Sequence, residues 1–189
     1  MKIGYSLEGS TDRAFVTGLR DRWCPHAELV EGYFRGATAL SQRREIPKTC
    51  EALIQKGVDV IVFLIDGNGV DWKTVKNDVV KCVLADHQHI VLIGIPDRNI
   101  ECWLCCDATY ASKELGIEAE QLNTDDPKGV FEGALGISRD EKQEQKITQL
   151  VKRAPVKNWL NNRSFENFYE DVLKFSQRKG CDVMNERQN

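Results

Sequence analysis

Residues 58–65, Val-Asp-Val-Ile-Val-Phe-Leu-Ile, are apolar on both alternating faces and stop abruptly at Asp66-Gly67-Asn68-Gly69. A strand with one apolar face can lie on a half-solvated antiparallel sheet. One that is apolar on both faces must be covered on both, which is the mark of a central strand in a parallel sheet between layers of helices. The neighbouring segments agree. Residues 2–6 read as a strand, roughly 11–23 as a helix, 29–34 as a strand, roughly 45–56 and 72–86 as helices, and 89–95 as a strand. This alternation predicts an α/β fold with a central parallel sheet of about four strands, right-handed crossovers and flanking helices.

Beyond about Asp107 the pattern changes to helix alone, near 108–115, 139–153 and 164–178, with loop signals at 123–127 and 133–136. The expected organisation is an α/β core over 1–107 and a helical extension over 108–189 packed on it as one globular unit. Phe165, Phe168, Val172 and Phe175 fall near one helical stripe and should be core, while 139–146 reads as a solvated helix face. Ser164, Asn99 and either Ser10 or Thr11 stand where helix caps are expected. A chain of 189 residues with 41% hydrophobic and 29% charged residues can bury a real core.

Composition also excludes several classes. The seven cysteines are odd in number and lack a framework spacing, which argues for reduced thiols rather than a secreted disulfide scaffold. The first residues already read as a strand, not a signal peptide, and no apolar run approaches the roughly 20 residues of a membrane helix, so the expectation is a cytoplasmic protein with no membrane partner. A net charge of -3 and a pI of about 5.7 give no overall basic footprint for nucleic acid. Cys102-x-x-Cys105-Cys106 has no second close cysteine or histidine pair, as zinc sites require.

The chemistry points to acids at strand ends. Glu8-Gly9-Ser10-Thr11-Asp12 follows the first strand, Asp66 ends the central one, and Glu101 follows the fourth. Open α/β sheets place ligands at the carboxyl ends of their strands. Clustered carboxylates repel one another unless a hard cation neutralises them, and magnesium needs only one or two protein carboxylates beside its waters. Each acid taken alone is as well explained by a turn or a helix first turn.

Glu8-Gly9-x-x-Asp12, Ile65-Asp66-Gly67-Asn68 and Asn99-Ile100-Glu101-Cys102-Trp103-Leu104 together resemble Toprim-like domains, the Rossmann-like topoisomerase and primase type. The likeness is to a small bacterial Toprim-like family with a glutamate-x-tryptophan-leucine segment after the fourth strand. Asp126-Pro127-Lys128 and Ser164-Phe165 match its later segments, so most of the chain is covered. The resemblance implies Glu8 as general acid or base or metal ligand, Asp66 as the first acid of an aspartate-x-aspartate pair, Glu101 as an accessory acid and Lys128 as a phosphate contact. Asn68 stands where the second aspartate is expected and brings an oxygen without charge, a lack that Asp12 or Asp71 could offset.

The implied metal set is therefore Glu8, Asp12, Asp66, Asn68 and Glu101 with Mg2+ or Mn2+. The implied activity is a magnesium-dependent nuclease acting on DNA or RNA. Relatives of this type accompany ABC-type ATPases in bacterial anti-phage defence, which suggests such an ATPase as the partner delivering substrate. Two other readings stay open: a catalytically weak scaffold docking on a partner ATPase, and a small-molecule phosphohydrolase.

Overall fold

The computed structural model describes residues 1–7, 9–32, 39–136 and 141–179. Four strands, β1 (Lys2–Ser6), β2 (Glu28–Glu31), β3 (Val60–Leu64) and β4 (Val91–Gly94), form one sheet in the order β2-β1-β3-β4. All three pairings are parallel, with Ile3 opposite Leu29 and Val60, and Ile61 opposite Val91. The α/β class and the central position of β3 read from the sequence are both found.

Alternation along β3 divides the interior in two. Val60, Val62 and Leu64 face one layer; Ile61, Phe63 and Ile65 face the other. The second layer is thin, built from α2 (Ala39–Gln55) and α3 (Trp72–Cys82) with Ile46, Leu53, Val75 and Val79 buried. α1 (Ser10–Trp23) lies on the first face, as right-handed crossovers require when the chain turns from β1 to β2 and then back past β1 to β3.

The first layer also takes up the described helices of the second half of the chain. α4 (Glu101–Leu104), α5 (Ala108–Leu115), α6 (Pro127–Leu135), α7 (Glu141–Arg153), α8 (Val156–Trp159) and α9 (Arg163–Lys179) share one core with α1. Its centre is aromatic: Trp103 stacks on Phe168 and meets Phe15 and Phe165, while Trp159 packs on Phe15 and Phe165. Such pairs add about 0.5–1.5 kcal/mol each beyond burial of their area. α7 crosses α1 closely, since a Cβ at Gly18 would lie 2.6 Å from Val151 Cβ. Arg13 and Glu144 pair across that crossing at 2.7 Å, and the pairing holds the Arg13 guanidinium above its usual pKa.

Several local expectations are corrected. The segment between the two loop signals is helix α6, because Asp126 Oδ1 accepts from Gly129 N and Pro127 suits the first turn. α2 starts at Ala39 and carries Pro47 inside it, earlier than the expected start near 45. Ser164 is not the cap of α9: Asn162 Oδ1 accepts from Ser164 N, Ser164 Oγ and Phe165 N, which leaves the Ser164 hydroxyl to accept from Trp103 Nε1 at 2.8 Å. Gly9, not Ser10 or Thr11, is the N-cap of α1. Asn99 supplies its backbone carbonyl to Cys102 N, and the residue at the cap position of α4 is Ile100. The expected strand at 29–34 ends at Glu31, and its last two positions lie outside the described residues. Among the described residues no helix is long and apolar enough to cross a membrane.

Candidate functional site

The strand order switches between β1 and β3, with all four strands parallel: β2 lies on one side of β1, and β3 and β4 lie on the other. The crevice beyond the carboxyl ends of such a strand pair is where open α/β sheets accept ligands. Leu7 and Gly9 leave β1 here, and Asp66 leaves β3. Glu8 itself lies outside the described residues.

Two loops are interlocked at this end. Ile65 N donates to Gly94 O, then Gly67 N to Pro96 O at 2.9 Å, Gly69 N to Asp97 O at 2.9 Å and Asn68 N to Arg98 O at 3.0 Å. The turn after β3 is thereby clasped to the turn after β4, the segment that leads directly into Glu101. Gly67 makes the clasp sterically available: a Cβ there would sit 2.4 Å from Pro96 O and 2.8 Å from Asp97 O. Asn68 has φ 51°, a left-handed conformation that asparagine tolerates, and its Nδ2 donates to Asp66 O at 3.2 Å. The residue that replaces the expected second aspartate thus holds the turn.

The acids differ in setting. Asp66 is half-buried in the turn that follows β3. Glu101 is 2% exposed in the first turn of α4, between core residues Ile100 and Trp103. Asp12 is 6% exposed on α1, where its Oδ2 accepts from Gly9 N at 2.8 Å. Asp71 is exposed and caps α3 through Thr74 N and Oγ1, so its role is local to that helix. Among the described residues, Ser6 Oγ and Thr11 Oγ1 are buried without a hydrogen-bond partner.

The structure therefore places Asp66 and the segment before Glu101 on the two clasped turns, and Asp12 in the first turn of the helix after β1, at the same end of the sheet. Among the described residues no three Asp, Glu, His or Cys side chains lie close enough together to hold a metal ion. The donor chemistry nonetheless suits a hard cation, for which one or two carboxylates suffice. Lys128 is exposed at the start of α6, and that region is tied to the same rim by Arg98, whose Nη1 donates to Asp125 O.

Asp97 was missed in the sequence. It follows β4 as Asp66 follows β3, and its Oδ2 accepts from Asn162 Nδ2 at 2.8 Å, linking the rim to the cap of α9. An acid in the turn shortly after a strand was the available signal.

Of the cysteines at 102, 105 and 106, the last two are held as thiols at neutral pH. Burial, then the neighbouring Cys102 thiol and Glu101, pushes the Cys105 thiol up to about 12. Burial, then Cys105 and Cys102, does the same for Cys106. Such thiols stay protonated. The fold binds these protons more tightly than the unfolded chain, whose thiols release them near pH 8.5, so this contribution to stability is whole below that pH and is lost as pH rises toward about 12. Urea unfolding from pH 8 to 10 should show falling stability, and Cys105→Ala with Cys106→Ala should flatten the decline.

No family model, curated protein or solved structure matches this chain.

Proposed function

We propose that the protein is a divalent-metal-dependent phosphodiester hydrolase of Toprim-like type acting on DNA or RNA. The observation that supports this most is the clasp between the β3 and β4 turns, which ties the turn of Asp66 to the segment leading into Glu101 at the carboxyl ends of the strands. Glu8, Asp66 and Glu101, with Asp12 at the edge, would hold Mg2+ or Mn2+. A bound ion there supplies Lewis-acid polarisation of a phosphoryl oxygen and a more acidic water.

The chain's own groups do the rest. The clasp fixes Asp66 before substrate arrives, burial keeps Glu101 from turning into solvent, and Lys128 offers a point charge to a phosphate at the rim. Glu8 takes the role of general acid or base. With a net charge of -3 the chain needs a partner to deliver nucleic acid, and an ABC-type ATPase in a bacterial anti-phage system fits that need. The setting is cytoplasmic on this reading.

One observation favours a second reading. Asn68 serves the turn and adds no charge, so a catalytically weak scaffold that docks on the same ATPase is the alternative. Purified protein incubated with plasmid, RNA or a mononucleotide, with manganese or with EDTA, decides among them. Nicking or degradation of polynucleotide only with manganese is expected. Turnover of the mononucleotide alone would make the protein a small-molecule phosphohydrolase, and no turnover of any substrate would favour the scaffold.

A further inference from the structure

Trp72 differs from the other three tryptophans. Trp23, Trp103 and Trp159 are no more than 5% exposed, whereas Trp72 is half-buried at the start of α3. It lines a cleft of about 600 Å³ between the starts of α3 and α9, within the size range of cavities that hold small organic ligands. Both walls hang from Asp97. Gly69 N, two residues before Asp71, donates to Asp97 O, and Asn162 Nδ2, one residue before Arg163, donates to Asp97 Oδ2. The cleft therefore adjoins the clasp at the carboxyl end of the sheet, and the two helices are joined beside it where Lys76 Nζ donates to Asn167 and Asp171.

The lining decides what fits. Two cations, Lys73 and Arg163, against three carboxylates do not select a bare phosphate. A basic peptide fares no better, because the protein's own cations hold the places it would take: Lys73 Nζ stands 5.5 Å from the centre of the Trp72 ring, and Arg163 lies 3.5 Å from Glu166. Asp71 is already engaged by Thr74. A nucleobase meets no such conflict. Its face would stack on the indole, its edge would meet Glu170 and the Asn167 amide, and its flanking phosphates would meet the exposed Lys73 and Arg163.

We propose that this cleft holds the base of a nucleotide neighbouring the cleaved phosphodiester, so that the substrate is single-stranded nucleic acid. A base within a duplex is stacked on both faces and paired along its edge, and it enters such a cleft only if extruded at a cost. The inference rests on the hydrolase reading for the class of substrate and adds the form in which it binds.

The test is binding without turnover. A labelled octanucleotide of mixed sequence, as DNA and as RNA, is titrated with the full chain in EDTA at low salt and followed by fluorescence anisotropy. Saturation at or below millimolar protein is expected for at least one of the two, with the matching duplex bound about tenfold more weakly. Trp72→Ala should weaken single-strand binding by about tenfold, the scale of one base stacked on an aromatic ring, while Trp72→Phe keeps most of it. Arg163→Ala, at a side chain 85% exposed, should weaken binding and reduce its salt dependence. Should Trp72→Ala fold poorly, Trp72→Leu keeps an apolar side chain there without the stacking ring and should show the same loss. No single-strand binding, equal affinity for duplex, unchanged affinity in the alanine and leucine variants, or equal binding of a labelled lysine octapeptide would overturn the proposal. Trp72-dependent binding by a protein that cleaves nothing with manganese would sustain the base site and refute the hydrolase; cleavage with binding indifferent to Trp72 would do the reverse.

Discussion

Replacing Asp66 by asparagine is expected to lower manganese-dependent cleavage by on the order of 100-fold or more, the scale on which a positioned acid–base or charge-bearing group contributes. The change keeps the side chain's size and removes its charge. Asp66 follows a strand whose ladder to β4 is held by backbone atoms, so the clasp from Gly67, Asn68 and Gly69 does not depend on the carboxylate. Stability should therefore move by no more than about 1 kcal/mol in urea unfolding. Loss of activity in a stable variant supports a chemical role for the acid. Full activity would remove Asp66 from the site, and a large loss of stability would make it a structural residue.

Gly67→Ala should produce the largest structural effect of any single methyl group at this end of the sheet. The conformation at Gly67 is open to other residues, but the space is not, because the methyl would meet the Pro96 and Asp97 carbonyls, which are backbone atoms and cannot rotate away. Overpacking costs about 1–3 kcal/mol. Weakening the three clasp bonds adds to this, since each contributes about 1 kcal/mol. A loss on the order of 2–4 kcal/mol in urea unfolding is expected, with cleavage reduced even where the variant is fully folded, because the β3 turn no longer holds its place against the segment leading to Glu101. A variant with unchanged stability and activity would mean that the clasp positions nothing.

The parts legible in the sequence are those governed by local periodicity. β3 was readable because its residues are apolar at both parities, and α9 because Phe165, Phe168, Val172 and Phe175 recur at helical spacing; all four pack in the shared aromatic core. Asp66 and Glu101 were readable as acids that follow strands. What escaped depends on partners distant in sequence. Asn162 caps α9 two residues before the serine that the cap rule favours, because Ser164 is claimed by Trp103, 61 residues away. Helix α6 was hidden by the loop signals at 123–127 and at Gly133 to Gly136, whereas the Asp126 cap and the buried Phe131 hold it. The true extent of α2 was hidden by Pro47, a residue that normally marks a first turn. The interlocking of the two turns follows from a strand order that no local pattern encodes.

The central claim is that the carboxylates at the carboxyl ends of the strands share one hard cation. Crystals of the full chain grown with manganese, measured at a wavelength where manganese scatters anomalously, test it most directly. The claim predicts an anomalous peak ligated by Asp66 together with Glu8 or Glu101, absent from crystals of the Asp66→Asn variant grown in the same way. A wild-type map with ordered side chains at this end of the sheet and no anomalous peak among them would contradict it.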